Sequence, residues 1–140
     1  MAVYQVEDRG APRILITERL AQEGIDLLRR ELPEALIDQR FGIAPAQLRA
    51  LIGEYTALII LRETRVTDDL LAAVPRLQVI GRAGIGVDNI DLEAAGKGGG
   101  VLVVHAPRGD VLAAAEHTMA LLLALARHIP VASGSLKAGK

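Results

Sequence analysis

From Arg13 to Val104 the chain alternates short aliphatic runs with longer stretches whose apolar positions recur at helical spacing. That alternation predicts an α/β protein, a parallel sheet covered by helices on both faces. Five runs read as strands: Arg13 to Thr17, Ala35 to Asp38, Ala57 to Leu61, Leu77 to Ile80 and Val101 to Val104. The third is apolar without interruption, as expected of a central strand buried on both faces. Between them the spacing predicts helices over Leu20 to Glu31, ended by Pro33, and over Ala46 to Ile52, opened by Pro45. Thr67 is placed to cap a helix over Asp68 to Val74, and Asp91 starts another. A long apolar helix is expected from Val111 to about His128, ending before Pro130, with no strand in the tail beyond Ser133.

Composition narrows the function classes. The chain has 140 residues and half are hydrophobic, enough for one core with an appendage. A net charge of -1 and three aromatic residues argue against a nucleic-acid partner. There are no cysteines, which excludes disulfides and thiolate metal sites. Residues 1–10 are too polar for a signal peptide and read as a disordered tail, so a cytoplasmic location is expected. Val111 to Ala126 is interrupted by Glu116 and His117 and is shorter than a membrane span, so it is expected to be a buried helix.

Open parallel sheets bind ligands beyond the carboxyl ends of their strands. After the fourth strand comes Gly81-Arg82-Ala83-Gly84-Ile85-Gly86-Val87-Asp88, where closely spaced glycines let main-chain N–H groups approach an anion. Taken alone, such glycines fit a tight strand-to-helix turn equally well. With its flanks, Val79-Ile80 and Asn89-Ile90-Asp91, the segment resembles the signature of the D-2-hydroxyacid dehydrogenases. The resemblance runs from about Arg13 to Lys140 and takes in Gly53-Glu54-Tyr55, Ala106-Pro107, Ala114-Ala115-Glu116-His117-Thr118 and the closing Ser135 to Lys140.

This resemblance implies a flavodoxin-like substrate-binding domain over residues 11–108, with strand order 2-1-3-4-5. Residues 109–140 would form a domain-crossing helix and the start of a nucleotide-binding domain. It implies a small 2-hydroxy acid as substrate and NAD as cofactor. The partner would be the nucleotide-binding domain or another subunit, with no nucleic acid and no membrane. It assigns the substrate carboxylate to the main-chain amides of Ile85 and Gly86, with Gly84 beside them and Ile85 also near the nicotinamide. The family's substrate-contacting arginine aligns with Leu61, and Arg62 stands one place later. Successive strand residues face opposite ways, so Arg62 can serve only where a bulge or the strand's end redirects it. Asp110 replaces a family asparagine near substrate and cofactor; it is either that contact or the N-cap of the following helix, with Arg82 or Arg108 offsetting its charge.

Other polar residues carry blander expectations. His105 reads as a loop residue, Glu116 and His117 as structural, Asp88 and Asp91 as loop hydrogen-bonding and capping residues, and Glu18 as a solvated surface acid. No G-x-G-x-x-G follows a strand, so the chain by itself is expected to be inactive. The family's returning C-terminal helix would leave an exposed apolar patch on this domain. A phosphoacceptor receiver has the same strand order but needs an acidic pair where Thr17-Glu18 stands and an aspartate where Leu61-Arg62 stands. A flavodoxin needs a hydroxyl-rich loop where Glu18 to Ala21 stands. The remaining alternative is a non-catalytic module that binds a carboxylate or associates with another chain.

Overall fold

The computed structural model describes residues 10–97, 100–108 and 111–140. Two compact units divide the chain at Pro107 and Arg108. In the first, five parallel strands form one sheet in the order β2-β1-β3-β4-β5: β1 (Arg13–Ile16), β2 (Leu36–Gln39), β3 (Ala57–Ile60), β4 (Val79–Arg82) and β5 (Leu102–His105). Every expected strand is present in the expected order. The fourth begins two residues later than its aliphatic run suggests, because Val79 to Arg82 pair with Ala57 to Ile60 of β3. Gly81 and Arg82 therefore belong to the sheet.

The helices of this unit are α1 (Gln22–Glu31), α2 (Pro45–Leu51), α3 (Asp68–Leu71) and α4 (Leu92–Gly96), with a single 3-10 turn at Ile52–Glu54. Thr67 Oγ1 accepts from Leu70 N at 3.3 Å and Asp91 Oδ1 from Ala94 N at 2.9 Å, so both expected caps form. Helix α3 stops at Leu71, three residues early.

Two cores lie on opposite faces of the sheet. One packs Leu15, Leu58, Ile60 and Ile80 against Leu48, Ile52, Val66, Leu70 and Ile90. The other joins Ile14 and Ile16 to Ile25 of α1. Leu15, Ile16, Leu58, Ile60 and Ile80 are fully buried, as expected for inner strands. At the edge, Leu102 and Val104 of β5 remain 63% and 46% exposed. One face of the last strand is therefore exposed and apolar.

The second unit holds α5 (Val111–Ala126) and α6 (Ile129–Lys137). Helix α5 was expected to be buried, yet none of its described residues is, and Leu112 and Leu125 are 70% and 74% exposed. Within the unit only α6 is available to pack against it. The tail read as lacking a strand is helical: His128 adopts a left-handed conformation (φ 52°) and Pro130 fits the first turn of α6. No single helix among the described residues is long and apolar enough to cross a membrane.

Candidate functional site

The carboxyl ends of β1, β3, β4 and β5 bring together most of the residues singled out above. Arg82 closes β4, opposite Ile60 on one side and His105 on the other. The chain then turns through Ala83, whose N–H donates to Ile60 O at 2.8 Å, and Gly84, whose N–H donates to Arg82 O at 2.8 Å. A Cβ at Gly84 would overlap Nη1 of Arg82, so a larger residue there would displace the guanidinium. The Arg82 side chain thus folds back over its own loop. Its Nε is buried with no hydrogen-bond partner among the described residues.

Beyond Gly84 the loop is pinned by its carbonyls rather than its amides. Ala106 N donates to Gly84 O at 3.0 Å, and His105 Nδ1 donates to Ile85 O at 2.7 Å. His105, expected in a loop, instead closes β5 beside Arg82, and from there its ring holds Ile85 in place. The N–H groups of Ile85 and Gly86 have no acceptor among the described residues. Both residues are exposed, Ile85 at 38%. Asp88 Oδ1 lies 2.8 Å from where a Gly86 Cβ would stand, so this position also tolerates no larger residue without movement. The Asp88 carboxylate itself makes no hydrogen bond among the described residues, so the loop-bonding role expected of it is not seen.

The turn after β3 is built differently. Strand β3 ends at Ile60, and Leu61 to Thr64 form a bend whose four N–H groups all donate to one side chain. Glu18 Oε1 accepts from Leu61 and Thr64 at 2.9 and 3.0 Å, and Oε2 from Arg62 and Glu63 at 3.0 Å each. Glu18 is only 9% exposed, which corrects its expected role as a solvated surface acid. Burial pushes its carboxyl up, but the hydrogen bonds from the main chain of Glu63, Thr64 and Leu61 outweigh that and hold it below its ordinary value. A sequence cannot signal this pairing, since the partners are amides more than forty residues away. Arg62 is exposed and lies beyond the strand, so strand alternation does not govern its side chain.

Asn89, quoted above only as part of the glycine motif, links the two segments. Its Nδ2 donates to Leu61 O at 3.0 Å and to Thr64 O at 2.7 Å. Both partners are carbonyls, which only the NH2 end of the amide can satisfy. Asp110, the other expected cofactor contact, lies outside the described residues. A cleft of about 590 Å³ opens on the far side of Glu18, between Thr17, Thr64, Arg65, Arg49 and Leu70. Three acids and two arginines line it, with Arg49 paired to Asp69 at 2.8 Å, so it offers no positive field for an acid.

Open parallel α/β domains place ligand-binding loops at the carboxyl ends of their strands, where this one has unpartnered amides and a guanidinium. Residues 14–138 match the model of the D-isomer specific 2-hydroxyacid dehydrogenase catalytic domain. The chain belongs to that family. It is 46% identical over 130 residues to D-3-phosphoglycerate dehydrogenase 2, chloroplastic, of Arabidopsis thaliana, and 41% identical over 128 residues to D-3-phosphoglycerate dehydrogenase of Synechocystis. These matches cover 92% and 91% of this chain but 20% and 22% of the relatives, so the chain spans about a fifth of their length. The D-lactate dehydrogenase of Aquifex aeolicus, solved with NAD and lactic acid, superposes with a TM-score of 0.66 at 25% identity, over 89% of this chain and 37% of that one.

Proposed function

We propose that this chain is the substrate-binding part of an NAD-dependent D-3-phosphoglycerate dehydrogenase acting in serine biosynthesis in the cytoplasm. The observation that carries this reading is the pair of unpartnered amides at Ile85 and Gly86, beside the Arg82 guanidinium. Two N–H donors on adjacent residues suit the two oxygens of a carboxylate, and a nearby cation offsets their charge. In this reading the acid group sits on the Ile85 and Gly86 amides, with Gly84 keeping the approach open. Arg82 offsets the charge of the carboxylate, while Arg62 meets the phosphate end of the substrate. The site therefore orients C2 of the hydroxy acid by holding its neighbour, C1.

NAD, when bound, would supply the acceptor for a hydride from C2. In this chain the exposed aliphatic side chain of Ile85 suits the nicotinamide edge, and Asp110 is the second expected contact. The glycine fingerprint for the pyrophosphate is not among these residues, so a nucleotide-binding domain or another subunit completes the reaction. A test is the binding of 3-phosphoglycerate to the 140-residue chain by calorimetry, with and without Gly86→Pro, which removes one donor. The expected result is weak binding that falls about tenfold in the variant, the size of one charge-assisted hydrogen bond. Equal affinity of the two proteins overturns the assignment.

A further inference from the structure

Glu18 and Asn89 act on the same four residues from opposite sides. The carboxylate of Glu18 takes all four N–H groups of Leu61, Arg62, Glu63 and Thr64 at 2.9 to 3.0 Å. The amide of Asn89 gives its two hydrogens to the carbonyls at the ends of the same bend, Leu61 O and Thr64 O. Thr17 Oγ1 and Thr64 Oγ1 lie 2.8 Å apart, adding a bond from the end of β1. Asn89 also belongs to the glycine segment, and its own carbonyl accepts from Val66 N at 2.8 Å, while Asp91 N donates to Val66 O at 2.9 Å. The bend after β3 and the loop after β4 are therefore tied together, and Arg62 is the second residue of the tied bend.

We propose that Glu18 and Asn89 are positioning residues, a two-sided clamp that fixes the Leu61–Thr64 bend against the glycine loop and so sets where Arg62 meets the substrate. The proposal rests on the substrate reading above. It explains why a buried carboxylate stands here without a cationic partner among the described residues. Four amide dipoles balance the charge, and leaving any of those donors unmet in a part-buried turn is costly. An arginine standing one place from the family's position needs its backbone fixed by something other than strand pairing. Glu18 supplies that from the segment just after β1, two strands along the sheet from the loop that holds the carboxylate.

The test is a double-mutant cycle on the 140-residue chain with 3-phosphoglycerate as the probe, read by calorimetry, together with amide hydrogen exchange at residues 61–64. Glu18→Gln replaces one accepting oxygen by a donor facing N–H groups. It is expected to raise exchange at these amides about tenfold or more and to weaken binding about tenfold, by loss of charge-assisted hydrogen bonds. In an Arg62→Ala background the same change should cost little further affinity, a coupling that general loosening of the fold would not produce. If Glu18→Gln does not fold, Asn89→Asp removes the two donated hydrogens, leaves Glu18 in place and carries the same expectation. Binding that depends on Arg62 but is indifferent to both clamp variants overturns the clamp alone, as does a full, additive penalty without Arg62. Failure of the unaltered chain to bind, or binding unaffected by Arg62→Ala, removes the substrate reading and the clamp with it.

Discussion

The bend after β3 and the loop after β4 lie on neighbouring strands and are both short runs of main-chain amides released from the sheet ladder. Their donors have opposite fates. In the first, all four N–H groups are taken by the chain's own carboxylate, Glu18. In the second, the N–H groups of Ile85 and Gly86 have no acceptor among the described residues, although the loop's carbonyls are pinned by Ala106 and His105. The same backbone chemistry is structural where an internal anion fills it and available for a ligand where none does. Rigidity is supplied in both, by acceptors in one loop and by donors in the other. Donors held in place by the rest of the loop are what the proposed binding of a small acid requires.

The contrast is broken most severely at the filled end. Glu18→Ala leaves four donors without their acceptor and should cost about 3 kcal/mol in denaturant unfolding, toward the upper range for unsatisfied buried groups. Gly86→Ala at the open end, which only crowds Asp88, should change stability by less than about 1 kcal/mol on the same measurement, like most substitutions at exposed sites. Equal losses would show that the two loops do not differ in this way.

The next effect concerns pH. The Glu18 carboxyl in the folded chain lies below its ordinary value, so its stabilisation is complete above the unfolded carboxylate range and is lost as pH falls through the folded value. Asp38 behaves alike, held down first by the Tyr55 hydroxyl at 2.7 Å and also by Arg13 at 3.3 Å. Thermal unfolding followed below about pH 4 should show the decline, and Glu18→Gln should flatten it. A slope unchanged by that variant would assign the acid sensitivity to Asp38. The smallest effect is expected at His105→Ala, which frees Ile85 O. Exchange of the Ile85 and Gly86 amides should change and affinity fall by about threefold, the weight of one exposed hydrogen bond. No change in either would mean the open loop does not depend on His105 for its shape.

Much of this was legible in the chain itself. The aliphatic runs marked all five strands, Thr67 and Asp91 announced their caps, and the glycine segment marked the turn that leaves β4. Periodicity failed where partners outside the segment decide the outcome. Arg82 reads as a loop residue by sequence yet pairs in the sheet, and α5 reads as buried yet, with α6 alone against it in its unit, has no buried residue among those described. The restart of helix at Ile129 was hidden by Pro130, which breaks a helix from inside but fits the first turn of a new one.

What the sequence by itself determined was the sheet, its helices and the place where amides come free, because these follow from local apolar spacing, capping and the lack of Cβ atoms at Gly84 and Gly86. Only the tertiary structure decided which free amides stay free. Glu18 reaches Thr64 across 46 residues of chain, and Asn89 reaches Leu61 across 28. No local pattern encodes such meetings, since they exist only once parallel strands β1, β3 and β4 have set their carboxyl ends side by side.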